Sequence, residues 1–69
     1  MSEFRDRIGH NLVSSAGHPS RAYDMLVELE IGMREKVSDS APGQFTEGMI
    51  EMLSFVVNLR KDIAQKYGY

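Results

Sequence analysis

Two pairs of carboxylates come nearest to a catalytic pattern in this sequence. Asp24 and Glu28 are four residues apart, as are Glu47 and Glu51, so each pair would lie one turn apart on a helix. Carboxylates at this spacing hold Mg²⁺ in some helical-bundle nucleotide pyrophosphohydrolases, where they line an inward face or a cleft. Both pairs fall on the polar sides of the predicted helices instead. We therefore expect no metal site. A Mg²⁺-dependent pyrophosphohydrolase-like bundle is only the second alternative to the protein-binding function predicted below.

The two histidines show no other catalytic arrangement. His10 and His18 have no serine or cysteine nucleophile placed beside them in a recognisable constellation, and His18, before Pro19, is predicted to be a loop residue. The chain has no cysteine, so a disulfide is impossible and a structural zinc would depend on histidines and carboxylates. These observations predict a protein that is not an enzyme, with no catalytic residues and no cofactor.

A small basic group near the N-terminus is the feature most suited to nucleic acid. Glu3 and Asp6 dilute it, the isoelectric point is about 5.5, and neither long predicted helix has a basic face for a major groove. A helical, dimeric DNA-binding transcriptional regulator is therefore the first alternative, and nucleic acid is not the expected partner. The group comprises Arg5, Arg7, His10 and Arg21.

The net charge of −2 is small but unevenly distributed along the chain. Residues 24–51 carry seven acidic and two basic side chains, a charge of −5, whereas the preceding and following segments carry +1 and +2. If the chain reverses near residue 42, one end of the folded molecule is acidic and the other is basic. That polarity suits antiparallel association of two copies or a basic target, although ordinary solvated charge on small helices would look the same.

Glycine and proline over residues 16–20 separate an N-terminal segment (1–17) from a first long helix, predicted over residues 20–37. Gly32 inside this helix costs about 1 kcal/mol relative to alanine, which indicates either a close helix approach or a bend. Apolar residues at spacings of three and four form a core stripe, with a second strip beside it. The stripe consists of Ala22, Met25, Leu26, Leu29, Met33 and Val37, and the second strip of Tyr23, Val27 and Ile31.

Turn-forming residues over 38–45 lead to a second long helix, predicted over residues 46–67. Thr46 suits its N-cap, and Phe45 could pack on Ile50 as a hydrophobic staple. The apolar residues of this helix cover an arc of about 220°, against the usual stripe of roughly 100°. One small partner helix cannot cover that much apolar surface.

The N-terminal segment has two interpretations. Phe4, Ile8 and Leu12 recur every fourth residue, which favours a short helix, although a strand paired across a dimer also suits their even numbering. We expect the helix. Such a short helix, which also contains Gly9, is stable only when docked, because isolated helices under about 12–15 residues are marginal in water.

Arg60 lies in the middle of the apolar arc of the second helix, where an unpaired charge is costly. If the two long helices are antiparallel, Glu30 comes within roughly one to two turns of Arg60. A bidentate Glu30–Arg60 ion pair would set the register of the helices more than it would stabilise them. The alternative is that the aliphatic stem of Arg60 extends along the surface so that the charge reaches water.

The length of the chain bounds its architecture. At 69 residues it is a single domain, residues 1–69, of a size at which a lone core is marginal and oligomerisation often adds stability. We predict an all-α fold: an antiparallel helical hairpin with a short N-terminal segment, dimerising into a bundle of about four long helices. The apolar residues predicted to form the dimer or partner interface are Tyr23, Val27, Ile31, Met49, Met52, Phe55, Val56 and Leu59.

Stoichiometric protein binding is the predicted function, as an inhibitor or adaptor of a larger protein partner. A strip containing Met25, Met33, Met49 and Met52 could adapt to such a partner, although in a small chain methionines also fill the core. The chain has no apolar run that could span a bilayer and no secretory signal, so we expect a cytoplasmic protein without membrane contact. Tiny cysteine-free helical proteins are frequent among phage-encoded modulators of host proteins, which makes a phage protein the class we expect.

Overall fold

The computed structural model describes residues 3–69, which form three α-helices joined by short connections. α1 spans Glu3–Ala16, α2 spans Pro19–Asp39 and α3 spans Gln44–Tyr67, and no strand occurs within this part of the chain. The all-α prediction is confirmed. The N-terminal segment, for which a strand was the alternative, is helical.

α2 begins one residue before its predicted start and ends two residues after its predicted end. His18 is the N-cap: its ring Nδ1 accepts a hydrogen bond from the backbone N–H of Ser20 at 3.1 Å. Pro19 follows in the first turn, where a missing N–H leaves no helical bond unmade. At the other end, the Ser40 hydroxyl donates to the Lys36 carbonyl at 2.6 Å and satisfies one of the last free carbonyls.

α3 begins two residues before its predicted start, so the prediction that Thr46 is its N-cap is wrong. Gly43 holds that position, and the buried Thr46 side chain donates its hydroxyl to the Ala41 carbonyl in the turn. The turn therefore winds directly into the helix. Phe45 is 68% exposed and Ile50 is 48% exposed, so the predicted staple buries neither of them.

α2 and α3 pack side by side in opposite chain directions. The ring of Tyr23 lies 5.6 Å from the ring of Tyr69, and the side chain of Glu30 bonds to that of Arg60. Later residues of α2 therefore contact earlier residues of the following helix, as expected for an antiparallel pair. The buried apolar residues of the described chain are Ala22, Leu26, Met33, Val56, Leu59 and Ile63.

The predicted core stripe of α2 is only partly correct. Met25 is 54% exposed and Leu29 is 49% exposed, whereas Leu26 and Met33 are buried. The buried face is turned towards Glu30, whose carboxylate bonds to α3. Successive helical residues are rotated by about 100° about the helix axis. With the face around Glu30 directed at α3, Leu29 therefore lies on the flank of the core rather than at its centre.

α1 covers the α2–α3 pair from one side. The ring of Phe4 lies 6.1 Å from the ring of Phe55, and a Cβ built on the buried Gly9 would lie 3.2 Å from Cδ1 of Leu59. The absence of a side chain at Gly9 therefore lets α1 approach α3 closely. The α1 residues that pack on the core are Ile8, Leu12, Val13 and Ala16.

Gly32 does not mark a close approach between helices of the described chain, contrary to that part of the prediction. Nothing lies within 4 Å of the position that its Cβ would occupy, and α2 continues without interruption on both sides of it. The glycine required by helix packing is Gly9.

Replacing Gly9 with leucine is expected to push α1 away from α3, because the added side chain must enter the space held by Leu59. Overpacking of this kind costs about 1–3 kcal/mol in the free energy of unfolding, measured by urea titration of the helical circular dichroism signal. Gly32→Ala is the matched control and should raise stability by about 0.5–1 kcal/mol, because it removes a helical glycine in open space. A Gly9→Leu variant as stable as the parent would contradict the close approach.

Candidate binding surfaces

The Glu30 carboxylate joins two arginines at the centre of the α2–α3 contact. Its Oε1 lies 2.6 Å from Nε of Arg60, and its Oε2 lies 3.0 Å from Nε of Arg34, one turn further along α2. The sequence prediction paired Glu30 with Arg60 through both carboxylate oxygens. The structure brings the two residues together, but gives each arginine one oxygen because Arg34 is equally within reach. That the pair sets the helix register stays a prediction.

This cluster is largely shielded from solvent on the Glu30 side. The Glu30 side chain is 14% exposed and that of Arg60 is 21% exposed. The hydrogen bond from Arg60 holds the pKa of Glu30 below its ordinary value, against burial, which acts in the opposite direction. The same bond raises the pKa of Arg60, and the Tyr23 ring lies 5.9 Å from the guanidinium carbon. Both groups are therefore charged at neutral pH.

Removing one partner of this ion pair is expected to cost more than removing both. Arg60→Met should lower the free energy of unfolding by about 1–3 kcal/mol, because it leaves Oε1 of the largely shielded Glu30 carboxylate without its hydrogen-bond donor, while Arg34 still holds Oε2. The double variant Glu30→Gln with Arg60→Met should recover part of that loss, giving a coupling energy of about 0.5–3 kcal/mol. Additive losses in chemical denaturation would contradict a coupled pair.

Acid should weaken the fold through Glu30. Because its pKa is lowered from an ordinary value of 4.5, the folded state binds the proton less readily than the unfolded chain does. The resulting stabilisation is present above pH 4.5 and is lost as the pH falls through the lower, folded-state pKa. Glu30→Gln should make the thermal midpoint less dependent on pH in this acid range. An unchanged slope would contradict the assignment.

A second ion pair lines an open cleft between α1 and α3. Arg5 Nε lies 2.6 Å from Asp62 Oδ2, and the Arg5 side chain makes a second contact with the other carboxylate oxygen at 3.4 Å. The cleft has a volume of about 420 Å³, an apolar floor that includes Leu59 and Ile63, and a rim of mixed charge that includes His10. Its acidic and basic groups oppose one another and favour no particular ligand charge.

The carboxylate pairs at 24/28 and 47/51 are exposed on the outer sides of α2 and α3. In residues 3–69, no group of three or more histidine, cysteine or acidic side chains is placed to hold a metal ion. The described helices also include none that is both long and apolar enough to cross a bilayer.

The predicted interface residues separate into three groups. Val56 and Leu59 are buried in the core of the single chain, which corrects their assignment to an interface, because α1 and α2 together cover this part of α3. Ile31 and Met52 are 51% and 63% exposed. The half-buried remainder, which retains some accessible surface, is Tyr23, Val27, Met49 and Phe55.

One apolar surface lies on the side of the α2–α3 pair that faces away from α1. On α3, Val57 and Ile50 lie roughly 160–180° around the helix from Leu59, which α1 covers. On α2, Val27 and Ile31 are one turn apart, and Ile31 lies about 140° from the buried Leu26. Ile50 is 48% exposed, and the others range from half-buried to exposed. The members of this surface, the back face, are Val27, Ile31, Ile50, Leu53 and Val57.

A second apolar surface lies near the start of α3 and was only partly anticipated. Of its large side chains, Met52 was predicted to bind, whereas Phe4 and Phe45 were not, although they are 60% and 68% exposed. A row of residues seven apart on α3, from Phe45 through Met52 to Leu59, was the signal in the sequence that could have indicated it.

Comparison with protein-family models, with curated proteins and with solved structures finds no match to this chain.

Proposed function

We propose that the protein is a homodimeric binding module that acts stoichiometrically, as an inhibitor or adaptor of a larger protein. The observation that supports this proposal most is the balance of apolar surface. In residues 3–69, nine large hydrophobic side chains are exposed, whereas the buried apolar core has six members. Exposed apolar patches of this kind are typical of protein interaction sites. A chain of this size also gains from association, because its own core is small.

In the proposed dimer, the back faces of two copies pair, so that two antiparallel helical hairpins form a bundle of four long helices. An antiparallel arrangement of the copies places the acidic turn end of one beside the basic end of the other. The turn end includes Glu35, Asp39 and Glu47, and the opposite end includes Arg21 and Lys66. This complementarity favours the antiparallel arrangement over a parallel one.

Two observations weigh against the alternative functions. Arg5, a member of the basic group that could contact DNA, is engaged with Asp62. The carboxylate pair Glu47 and Glu51 is exposed on an outer face rather than lining a cleft between helices. Protein binding therefore remains the proposal, with a cytoplasmic, phage-type modulator of a host protein as its expected setting.

Affinity capture from the native host, followed by reconstitution from purified components, tests this function. The expected result is one dominant protein partner and a saturable complex of fixed ratio, measured by light scattering after size-exclusion chromatography. Ile31→Glu and Met52→Lys should each be compared with the parent, because they alter different apolar surfaces. If both variants keep self-association and partner binding at the parent's strength, the proposal is contradicted.

A further inference from the structure

The row of α3 residues that α1 covers continues beyond the start of α1. Leu59, opposite Gly9 of α1, is 3% exposed. Met52, seven residues earlier and on nearly the same side of α3, is 63% exposed, and Phe45, a further seven residues earlier, is 68% exposed. These two residues, with Gly48 between them, form a surface that we call the notch.

α1 also contributes an apolar side chain near the notch. Phe4 is 60% exposed, and its ring lies against the ring of Phe55, just beyond Met52 on α3. The change from covered to exposed along this row of α3 therefore occurs as the helix passes the start of the described part of α1.

One exposed acidic side chain, that of Glu51, lies at the edge of the notch, about 60° around α3 from Gly48. No lysine or arginine occurs between residues 44 and 59, so no basic side chain of α3 offsets it there. A segment that covers the notch would therefore be attracted through basic groups on its flank.

Gly48 gives the notch a flat floor. It follows Phe45 by three residues and precedes Met52 by four, so it lies between them on the same side of α3. Nothing lies within 4 Å of the position that its Cβ would occupy. A helical glycine lowers stability relative to alanine, and the folded chain gives no packing reason for one here. At Gly9, by contrast, the missing side chain is what lets a second helix approach.

We propose that the notch binds an amphipathic α-helix of the partner protein, with its apolar side on Phe45, Gly48 and Met52 and with lysine or arginine facing Glu51. This inference rests on the proposed protein-binding function and names the kind of segment that is bound. α1 provides the geometric precedent, because it is itself an amphipathic helix seated on the next stretch of the same row. The bound helix would extend the layer that α1 begins.

Two synthetic helical peptides of about four turns provide the probe, sized by the length of α1. The first carries leucine at helical spacings of three and four, with lysine on both flanks, and the second carries glutamate in place of lysine. Methyl NMR of the methionines reports the site. We expect the lysine peptide to shift the Met52 methyl and to leave the buried Met33 methyl in place. The glutamate peptide should bind at least about tenfold more weakly.

Gly48→Leu is the blocking variant, because its side chain would stand in the notch, where nothing lies within 4 Å of the Cβ position. It should retain the parent's helicity and dimer mass, yet weaken binding of the lysine peptide at least about tenfold. Asn58→Leu adds the same side chain on the exposed polar side of α3 and should leave peptide binding unchanged. Thermal unfolding of both variants checks that each one is folded.

Three results would overturn the notch assignment. The first is peptide binding that Gly48→Leu does not weaken, which would place binding elsewhere and leave the protein-binding function intact. The second is dissociation of the dimer by Gly48→Leu, which would make a second copy the occupant. The third is no shift of Met52 at millimolar peptide. The parent's oligomeric state and its captured partner, measured separately, decide the proposed function independently of these results.

Discussion

Ile31→Glu is expected to convert the dimer into folded monomers. Ile31 is 51% exposed in the single chain, so a glutamate there costs the isolated fold little. In the proposed dimer, however, each copy would place a charge in an apolar interface. Burial of the remaining isoleucine surface contributes about 1–2 kcal/mol per copy, and symmetry counts it twice, so the dimer dissociation constant should rise roughly 30- to 700-fold.

Asn58→Glu is the matched control for this prediction. It introduces the same neutral-to-acidic change at an exposed helical position outside both apolar surfaces. We expect the Asn58→Glu protein to retain the parent's dissociation constant within about threefold. Sedimentation equilibrium over a range of concentrations measures both variants. If Ile31→Glu dimerises as tightly as Asn58→Glu, then the back face is not the dimer interface.

Leu59→Ala should produce the largest loss of stability among single truncations considered for this chain. Leu59 is 3% exposed and contacts both the core and the backbone of α1 at Gly9. Truncation of a buried leucine removes transfer free energy and leaves a cavity, at a cost of about 2–5 kcal/mol. That is a large fraction of the total stability expected of a small domain. The Leu59→Ala chain should therefore be substantially unfolded at 37 °C, as measured by loss of the helical circular dichroism signal.

Met52→Ala tests the same row of α3 where nothing covers it. Met52 is 63% exposed, so its truncation should change the free energy of unfolding by less than about 1 kcal/mol. The two variants should differ because α1 covers Leu59 but does not reach Met52. Equal losses at Met52 and Leu59 would show that a further segment covers the whole row in solution, and would contradict the exposed notch.

Helical spacing carried enough information to place Glu30 beside Arg60. A chain reversal near residue 42 fixes which residues of two antiparallel helices lie at the same level, and charged residues on otherwise apolar faces are few. The turn itself was less predictable. Thr46 satisfies the sequence requirements of an N-cap, but its hydroxyl bonds to the Ala41 carbonyl, a contact that depends on the backbone path of the turn.

The exposure of Met25 and Leu29 could not be predicted from periodicity. Both belong to a regular apolar pattern, and the choice of flank depends on where the third helix lies. The notch has the same cause, because Phe45, Met52 and Leu59 repeat at one interval in the sequence. Which members are covered depends on where α1 begins along α3, and that position is a property of tertiary packing, set partly by the contact at Gly9.

Sedimentation of the parent chain at micromolar concentration tests the central claim most directly. We predict a helical species with twice the 7.8 kDa mass of the chain, which dissociates only on further dilution. A fully helical, cooperatively unfolding species of 7.8 kDa at every concentration would contradict the account. In that case, the exposed apolar side chains would be compatible with a stable solitary molecule, and neither the back face nor the four-helix bundle would be needed.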